Sequence, residues 1–298
     1  MKILLTGGKG FLGNTIAEYF KCNAGYEIKV LSRDINSDYS VDLATTTFYL
    51  REQFDVVIHA AGKAHSIPKT GIEAQKFFDV NFNGTVNLLT SLEASLPKTF
   101  VFMSSVSVYG ISEGKDISES HVLSAEDPYG KSKALAEQEI LKWCSHNRVK
   151  CVIFRLPLLV GLGAPGNLKS MIKGIKKGYY FNIDGGRARR SMLLVNDVPR
   201  AIEAVLDTSG IFNLTDGAHP SYKELSNAIA LQLGKRKIYN MPYQVAFFLA
   251  KFGDFFGAKF PINSCKFRKL TESLTFDDEK IRKKLKWQSS SVLENIRI

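Results

Sequence analysis

Tyr129 and Lys133 stand four residues apart in a segment with the periodicity of a helix. Residues at this spacing share one helix face, so the lysine ammonium can lie beside the tyrosine phenol. A free tyrosine has a pKa near 10, but a neighbouring cation favours its phenolate. Tyr129 could then take a proton from a hydroxyl, or give one to a ketone, as hydride moves at the adjacent carbon. Ser105 ends a predicted strand, and its hydroxyl could hold the reacting oxygen.

A glycine-rich turn near the start of the chain could hold a dinucleotide phosphate. Gly7, Gly10 and Gly13 are spaced G-x-x-G-x-x-G between an apolar strand and a helix. Such a turn lets the backbone approach a pyrophosphate, and the helix N-terminus offers free N–H groups and the positive end of its dipole. We therefore predict dinucleotide binding here, with Phe11 and Leu12 also in contact with the cofactor. A purely structural turn is the alternative.

The end of the second predicted strand indicates which dinucleotide binds. NAD-binding proteins place an acidic residue there for the ribose 2′-hydroxyl. This chain has Ser32 instead, followed by Arg33, whose guanidinium could pair with a 2′-phosphate. The sequence therefore favours NADP(H), with NAD(H) as the alternative. Further on, Asp42 and Leu43 could lie near the adenine, although an exposed loop acid is an equally open interpretation of Asp42.

Strands and helices alternate along the chain before Pro157. Helices are predicted there at 10–20, 72–92 and 128–146, and strands at 2–6, 27–32, 55–59, 99–104 and 150–155. This alternation is typical of a parallel sheet with helices on both faces. The predicted fold class is α/β, a Rossmann-type doubly wound parallel sheet with a smaller C-terminal substrate-binding lobe. Residues 1–165 would form the dinucleotide-binding domain, with about 191–215 returning to it, and 166–298 mainly the lobe. The returning part is predicted to contain strands at 191–195 and 211–214, and Asp197 could cap the helix that runs to Leu206.

Charge is unevenly distributed along the chain. The net charge is +11, and residues 171–298 carry 22 Lys/Arg against 12 Asp/Glu, whereas residues 1–170 carry 18 against 17. A basic second part could form a pocket for a diphosphate, although a solvated basic surface is the plainer interpretation. We expect no nucleic-acid partner. The four cysteines lack metal-ligand spacing, and no segment resembles a signal peptide or a bilayer span, so we expect a cytoplasmic protein without a metal site or stable membrane insertion.

An aromatic-rich segment follows Met241. It is either a packed lobe that covers the site or a surface that faces a membrane or a partner. Aromatic stripes usually fill protein cores, which favours the packed lobe. The residues concerned are Phe247, Phe248, Phe252, Phe255, Phe256 and Phe260.

Several segments together resemble one enzyme family: TGGKGFLG, VIHAAG, VNFNGTVNLL, FMSSVSVYG, DPYGKSKALAEQ and RLPLLVGLG. They are similar to the extended short-chain dehydrogenases/reductases, and within these to the NAD(P)-dependent epimerases and dehydratases of nucleotide sugars. The resemblance implies that Ser105, Tyr129 and Lys133 are catalytic and that Lys133 also holds the nicotinamide ribose. It places Asn81 on a helix behind the active site. It further implies that the cofactor is lined by Ala60, Ala61 and Gly62.

The resemblance also indicates how a nucleotide-diphosphate sugar, expected to be UDP-linked, would bind. Asn167 matches an asparagine that meets the diphosphate. Arg190, with help from Arg187 or Arg189, matches an arginine that reads phosphate, and a guanidinium suits bidentate contacts with phosphate. Lys63 and His65, after the third predicted strand, could touch sugar or cofactor. A basic surface loop remains the alternative for the arginines, and a homodimer is a further possibility that the resemblance implies.

Three functions remain open at this point. The 4,6-dehydratases of this group carry an acidic pair where this chain has Val106 and Ser107, which argues against dehydration. The sequence is most similar to UDP-hexose 4-epimerases and to 4-keto-reductases that make UDP-linked 6-deoxy-hexosamines. Ser32 and Arg33 favour NADPH and therefore place the reductase slightly ahead of the epimerase. A non-catalytic dinucleotide-binding sensor or scaffold is the third hypothesis, which the intact Ser-Tyr-Lys set opposes.

Overall fold

The computed structural model describes residues 1–50, 52–64, 66–235, 237–256 and 262–298, so His65 and Phe260 lie outside the described residues. In chain order the strands are β1 (Lys2–Thr6), β2 (Glu27–Ser32), β3 (Tyr39–Ser40), β4 (Val56–His59), β5 (Thr99–Ser105), β6 (Gly114–Ile117), β7 (Lys150–Leu156), β8 (Leu158–Val160), β9 (Phe181–Ile183), β10 (Met192–Leu194), β11 (Gly210–Asn213), β12 (Tyr239–Met241) and β13 (Leu274–Phe276). The helices are α1 (Phe11–Lys21), α2 (Gly71–Phe78), α3 (Gly84–Leu92), α4 (Pro128–Asn147), α5 (Gly166–Lys177), α6 (Asp197–Val205), α7 (Tyr222–Gln232), α8 (Tyr243–Phe256), α9 (Ser264–Thr271), α10 (Glu279–Leu285) and α11 (Val292–Asn295).

Seven of the strands form one sheet in the spatial order β11-β7-β5-β4-β1-β2-β3. Every pairing within it is parallel. β4 and β5 are buried along their whole lengths, as expected for strands covered by helices on both faces. The predicted Rossmann-type doubly wound fold class is therefore confirmed.

Alternate side chains of β1 enter two different cores. Leu5 packs in one core with Ile16 and Phe20 of α1, whereas Leu4 packs in the other with Leu88 of α3 and Phe100 of β5. The alternation follows from the two-residue period of a strand, whose successive side chains point to opposite faces. The apolar run of the first strand thus anchors helices on both sides of the sheet.

The direction of strand addition reverses beside β1. From β1 the chain adds β2 and β3 on one side, and then β4, β5, β7 and β11 on the other. In open α/β sheets ligands bind at such a switch point, beyond the carboxyl ends of the strands. The glycine-rich turn follows β1 at this edge, and the Ala60–Gly62 segment follows β4. The two segments are in close contact, because a Cβ added to Gly7 would lie 2.6 Å from the backbone nitrogen of Ala61.

Six short strands were not predicted: β3, β6, β8, β9, β12 and β13. Each has only two to four residues, which is too few for an alternation of buried and exposed side chains to be recognised in the sequence. Apart from β3, they belong to two-stranded parallel pairs outside the main sheet, β8 with β10, β9 with β12, and β6 with β13. Of these three pairs, that of β6 with β13 joins the first half of the chain to the second.

Two predicted helices differ in detail. The helix predicted over 72–92 is divided into α2 and α3 by a π-helical turn at Asp79–Asn83. Asp197, which the sequence suggests as a helix cap, lies inside the first turn of α6, and Asn196 occupies the capping position. The Asp197 carboxylate instead accepts hydrogen bonds from Arg200 at 2.8 Å and from the backbone N–H of Ser290 at 2.7 Å. It ties the C-terminal segment to the helix rather than capping it.

The structure contradicts the prediction that the aromatic-rich segment fills a core. Most of its rings lie on α8, and they are exposed rather than buried. The exposed fractions range from 37% to 90% for Phe247, Phe248, Phe252, Phe255 and Phe256. Among the described residues no helix combines the length and the apolar character needed to cross a bilayer.

Candidate active site

Tyr129 lies in the first turn of α4, whose start is fixed by Asp127. The Asp127 carboxylate accepts hydrogen bonds from the backbone N–H groups of Tyr129 at 3.1 Å and Gly130 at 3.0 Å. Pro128 follows at the first helical position, where its fixed backbone angle suits a helix start. A Cβ at Gly130 would lie 2.5 Å from the carbonyl oxygen of Ser107, so only glycine allows this close approach. The start of α4 is thereby held against the turn that carries Ser107.

Ser105 is the last residue of β5, and its hydroxyl donates a hydrogen bond to that of Ser107 at 3.2 Å. Burial raises the pKa of Tyr129 above its ordinary 10.0, the nearby Ser105 hydroxyl lowers it, and the Asp127 carboxylate raises it again. Without an added positive charge, the phenol is therefore protonated at neutral pH. Tyr129 thus carries a proton that it can donate to a group placed against it.

Lys133 follows Tyr129 by one turn on the same helix face. Its ammonium is buried, donates a hydrogen bond to the carbonyl oxygen of Met103 at 2.8 Å, and lies 4.4 Å from the centre of the Phe102 ring. Burial lowers the pKa of Lys133 to about 8, while the Glu137 carboxylate acts to raise it. The side chain is therefore still a cation at neutral pH, and a nearby cation favours a phenolate.

A buried ion pair behind Lys133 was not found by sequence analysis. Glu137, one turn further along α4, pairs with Arg155 of β7 at 2.7 Å, and both side chains are nearly inaccessible. The hydroxyl of Ser104 also donates to Glu137, and Arg155 donates to the phenol of Tyr109 at 3.1 Å. Breaking such a pair leaves an uncompensated charge in the interior. Glu137 is thus held as a fixed negative charge beside the helix face that carries Lys133.

The π-helical turn presents Asn81 to the segment after β4. The side-chain oxygen of Asn81 accepts from the backbone N–H of Lys63 at 2.7 Å, and its amide donates to the Lys63 carbonyl at 3.1 Å and to Ser132 at 2.9 Å. One buried amide therefore clamps the loop after β4 against α4. π-turns occur often at functional sites, because the extra residue redirects a side chain.

His59, at the end of β4, was not predicted to matter, yet it joins the glycine-rich turn region to the π-turn. Its two ring nitrogens lie 2.7 Å from the hydroxyl of Thr6 and 2.9 Å from that of Thr85. Thr85 donates its own proton to the carbonyl oxygen of Asn81, so Thr85 must accept from Nε2–H of His59. The ring therefore carries its proton on Nε2, and Nδ1 accepts from Thr6. Burial, with a contribution from Lys133, lowers the pKa of His59 to about 3.

The glycine-rich turn has the shape of a phosphate cradle. A Cβ at Gly13 would lie 2.1 Å from the carbonyl oxygen of Gly7, so α1 packs closer to the turn than any side chain permits. Gly10 is the N-cap of α1, and no side chain among the described residues caps the first N–H groups of the helix. Phe11, Leu12 and Gly13 are the residues that carry these free groups. The turn therefore fits a dinucleotide pyrophosphate in shape and in charge.

The segment Ala60–Gly62 lies between this turn and Lys133. The backbone N–H of Ala61 donates to the hydroxyl of Thr6 at 3.1 Å, which holds the segment beside β1. A Cβ at Gly62 would lie 3.2 Å from both the Lys133 ammonium and the Asn81 side-chain oxygen. The structure thus brings the predicted cofactor-lining segment next to the predicted catalytic lysine.

The residues at and after the end of β2 differ in the hydrogen bonds that their side chains already make. The Ser32 hydroxyl contacts that of Ser37 at 2.6 Å and accepts from the Asp34 backbone at 3.0 Å. Arg33 is exposed, and no hydrogen bond or ion pair of its side chain is found in the described part of the chain. Lys9 of the glycine-rich turn lies 3.9 Å from Asp34, so Arg33 is displayed beside that turn.

Asp42 and Leu43 are placed less favourably for an adenine contact. Asp42 is exposed, and its carboxylate accepts from the backbone N–H of Ala44 at 3.1 Å within a turn. Leu43 is buried in the core that contains Leu88, and its carbonyl oxygen accepts from Asn87 at 2.7 Å. Asp42 thus caps a turn, and the Leu43 side chain faces the core.

Lys63, one of the predicted substrate-binding residues, lies near the Ser105–Tyr129–Lys133 group. The Lys63 ammonium lies 5.3 Å from the centre of the Phe77 ring, and this ring is 6.2 Å from that of Tyr129. Asn167 is exposed at the start of α5, without a hydrogen bond among the residues that the structure describes. The structure gives no direct contact between Asn167 and the Tyr129 group.

The three arginines before β10 have different surroundings. Arg189 donates to the carbonyl oxygen of His219 at 3.0 Å and lies 3.8 Å from Glu224. Arg190 donates to the carbonyl oxygen of Lys269 at 2.7 Å, but its Nε is buried without a partner in the described residues. Arg187 is exposed, and its guanidinium has no hydrogen bond or ion pair within the described ranges. Arg187 and Arg190 therefore keep donors for a ligand, whereas Arg189 is engaged by the protein.

Comparison with known proteins gives consistent results. The model of the NAD dependent epimerase/dehydratase family matches residues 3–214. A UDP-glucose 4-epimerase of Vibrio cholerae is 27% identical over 98% of this chain and 92% of its own length. An N-acetyl-alpha-D-glucosaminyl-diphospho-ditrans,octacis-undecaprenol 4-epimerase of Escherichia coli O157:H7 is 25% identical over 94% of this chain and 88% of its own.

Solved structures share the fold over nearly the whole chain. A mutant UDP-glucuronic acid 4-epimerase from Bacillus cereus, in complex with a fluorinated UDP-sugar and NAD, aligns with a TM-score of 0.78, at 19% identity, over 99% of this chain and 96% of that one. RMD from Pseudomonas aeruginosa, complexed with NADPH, aligns with a TM-score of 0.75, at 21% identity, over the same shares. At these identities the likeness establishes the architecture.

Proposed function

The chain belongs to the NAD dependent epimerase/dehydratase family, and from this premise we propose that it is an NADPH-dependent 4-keto-reductase of a nucleotide-diphosphate sugar. The observation that carries the proposal is the group of half-buried Tyr129 with buried Ser105 and Lys133 at the carboxyl ends of β4 and β5. This group sits beside a glycine-rich turn that fits a dinucleotide. Family members are enzymes that use a nicotinamide dinucleotide, and the three side chains supply the acid-base chemistry that such a cofactor requires.

Each side chain has a distinct task in the proposed reaction. The nicotinamide, when bound, supplies the hydride that carbon C4 of the sugar receives. Tyr129 donates a proton to the C4 oxygen as the ketone becomes a hydroxyl, and its phenol is protonated at neutral pH for this purpose. Ser105 holds the same oxygen by a hydrogen bond, and Lys133 stabilises the negative charge that remains on Tyr129.

The preference for NADPH rests on Arg33. This arginine is exposed beside the glycine-rich turn, and its guanidinium is not engaged by another described residue. A 2′-phosphate would give it a bidentate partner, whereas the 2′-hydroxyl of NADH would not. The position that normally holds an NAD-selecting acid is occupied by Ser32, whose hydroxyl is already used within the turn.

Arg190 and Arg187 support a diphosphate on the substrate. A buried guanidinium nitrogen without a partner is unfavourable, and the Nε of Arg190 is such a nitrogen among the described residues. A phosphate oxygen would satisfy it, and Arg187, which is exposed three positions before Arg190, could bind a second oxygen. The loop holds no acidic residue between them that would oppose an anion.

A 4-epimerase is the second candidate, because both curated relatives described above are named as 4-epimerases. Their names specify a hexose attached to a diphosphate, carried by uridine in one and by a polyprenol in the other. The same Ser-Tyr-Lys group could serve this reaction, in which Tyr129 first removes the proton of the C4 hydroxyl and later returns it.

The two candidates are separated by supplying the cofactor or withholding it. The purified protein is incubated with a UDP-4-keto-6-deoxy-hexosamine and NADPH, and in parallel with UDP-glucose or UDP-N-acetylglucosamine without added cofactor. Oxidation of NADPH that depends on the keto-sugar supports the reductase. Formation of the C4 epimer without added cofactor supports the epimerase and contradicts the primary proposal. Activity in neither assay contradicts both.

A further inference from the structure

Helix α8 buries small residues and exposes large apolar ones, which is the reverse of an ordinary surface helix. Its buried positions are Ala246, Ala250 and Gly253, which recur at intervals of four and three residues. Its large apolar side chains face outward, and Phe248 is 70% exposed and Phe255 is 90% exposed. A helix that only packs on its own domain buries its large residues and exposes polar ones. The outward side of α8 is therefore built to contact something apolar.

Neighbouring strands extend this apolar surface. Tyr239 of β12 and Phe181 of β9 are both exposed, and their ring centres lie 6.4 Å apart. On α8, Tyr243 and Phe247 stack at 6.4 Å, and both pack on the buried ring of Phe267 from α9. We refer to the aromatic face as the surface formed by Phe181, Tyr239, Tyr243, Phe247, Phe248 and Phe255.

Positive charge frames the aromatic face. Residues 231–270 contain eight lysines and arginines against a single acid, Asp254. Two of these cations lie directly over its rings, since the Lys237 ammonium is 5.6 Å from the centre of Tyr239 and that of Lys251 is 5.7 Å from Phe247. The carboxylate of Asp254 is itself occupied, because it accepts from the backbone and the hydroxyl of Ser264. The surface therefore combines exposed aromatic rings with nearly unopposed cations.

We infer that the aromatic face docks the protein on the surface of a lipid bilayer that contains anionic phospholipids. Amphipathic helices with phenylalanine on one side and basic residues around it lie in the interface plane, where the rings enter the acyl boundary and the cations meet the headgroups. At a rise of about 1.5 Å per residue, α8 is too short to span a bilayer, so the contact is peripheral.

Charge complementarity selects the bilayer over a second copy of the chain. A symmetric dimer through the aromatic face would bring the same basic frame from both copies together, and like charges across an interface oppose association. An anionic headgroup layer offers the complementary charge and an apolar layer beneath it. Both components of the face are then satisfied by one partner.

The docking surface is connected to the predicted diphosphate site. Phe267 of α9 packs beneath the aromatic face, and the carbonyl oxygen of Lys269 in the same helix accepts hydrogen bonds from Arg190 and from the phenol of Tyr222. Bilayer contact would therefore bring the substrate-binding side of the molecule, rather than the main sheet, close to the headgroups. This geometry holds whichever of the two proposed reactions is catalysed.

The test is sedimentation of the full-length protein with vesicles of phosphatidylcholine alone and with vesicles that contain phosphatidylglycerol. We expect the wild type to bind the anionic vesicles, and Phe248→Ser/Phe255→Ser to bind at least about tenfold more weakly. The matched control is Ile72→Ser/Val122→Ser, which removes two exposed apolar residues elsewhere and should bind as the wild type. Circular dichroism checks that each variant is folded.

Charge variants test the second component. Lys237→Gln and Lys251→Gln should each weaken binding to anionic vesicles by about fivefold, whereas Lys131→Gln on α4 should not. Failure of the wild type to bind anionic vesicles, or equal binding by Phe248→Ser/Phe255→Ser, would overturn the proposal. Equal binding to vesicles of phosphatidylcholine alone would also overturn it. So would a wild-type dimer in sedimentation velocity that becomes a monomer in Phe248→Ser/Phe255→Ser, since this outcome assigns the face to a second copy.

Discussion

The ammonium of Lys133 donates a hydrogen bond to the carbonyl oxygen of Met103 at 2.8 Å, two residues before Ser105 in the same strand. This bond ties α4 to β5 across the candidate site, so the lysine positions the tyrosine helix as well as supplying charge. Its removal therefore affects both geometry and electrostatics, and the two effects are separable by their pH dependence.

Replacing Tyr129 by Phe removes the proposed proton donor and keeps the ring. We expect kcat to fall by about 10²–10⁴-fold, because general acid catalysis contributes this much. Binding of NADPH, followed by the quenching of protein fluorescence, should persist. Tyr26→Phe, at a tyrosine that bonds Glu203 away from the site, is the control and should keep full activity. Full activity in Tyr129→Phe would instead favour a non-catalytic dinucleotide binder.

The buried charge of Lys133 should make stability depend on pH. Its pKa is about 8 in the folded protein and 10.5 in the unfolded chain, so the unfolded state binds more protons between these values. The cost of burying the ammonium is full below pH 8 and disappears as pH rises to 10.5. The difference in unfolding free energy between Lys133→Met and wild type should therefore decrease by up to about 3 kcal/mol over this range.

Denaturant unfolding between pH 7.5 and 10.5 measures this difference. Lys131→Met, two residues away and exposed, is the matched control and should show a constant offset from the wild type. A constant offset for Lys133→Met as well would mean that burial does not perturb the lysine.

His59 should contribute a dependence of the same sign at acidic pH, since stability again rises with pH. Its pKa falls from 6.5 to about 3 on folding, so the unfolded chain binds the extra proton as pH decreases through this window. Stability that is present above pH 6.5 is thus lost as the pH falls, by about 2 kcal/mol between pH 6.5 and 5. His59→Gln should show a shallower slope, and His146→Gln, at an exposed histidine, should keep the wild-type slope. Nitrogen NMR of the wild type should show a neutral ring with its proton on Nε2 and no titration above pH 5.

Glu137→Gln should both destabilise the protein and change the acid-base behaviour of the site. Removal of one partner of the buried Glu137–Arg155 pair is expected to lower the unfolding free energy by about 3–5 kcal/mol. Because the Glu137 carboxylate raises the pKa of Lys133, its loss should move the alkaline limb of the kcat/KM profile to lower pH. Glu139→Gln, on the more accessible side of α4, should change neither quantity. If Glu137→Gln lowers the stability but leaves the pH profile of kcat/KM unchanged, then Glu137 has only a structural role.

Arg33→Ala tests the cofactor preference. Loss of charge-assisted hydrogen bonds to a 2′-phosphate should raise the KM for NADPH by about 10–100-fold and leave that for NADH nearly unchanged. Arg148→Ala, an exposed arginine at the end of α4, should alter neither value. If Arg33→Ala affects both cofactors equally, then the arginine does not read the 2′-phosphate.

The sequence revealed the parts of the site that depend on local spacing. Tyr129 and Lys133 are four residues apart, and Gly7, Gly10 and Gly13 follow one another at intervals of three. Each spacing has one structural interpretation once a helix or a strand-turn-helix unit is predicted. The Glu137–Arg155 pair has no such signature, because its partners stand on a helix and a strand that only the tertiary fold brings together. The role of His59 was not predicted for the same reason.

The aromatic segment was misjudged because hydrophobicity alone does not say which side of a helix is buried. The useful signal was the set of small residues, Ala246, Ala250 and Gly253, which recur at helical spacing among the rings. A stripe of small residues opposite large ones shows that the helix can approach its own domain closely on one side. The large rings are then directed away from it.

The hydrogen bonds around His59 form a chain in which every donor points the same way. From the backbone of Ala61 the chain passes through Thr6, His59, Thr85 and the carbonyl of Asn81. The Asn81 side chain continues to Ser132, whose hydroxyl ends on the backbone carbonyl of Tyr129. All the hydrogen bonds behind the site thus point in one direction. The chain that they form ends on the backbone carbonyl of Tyr129 rather than on its phenol. A proton exchanged at that phenol therefore has no exit through this chain of hydrogen bonds.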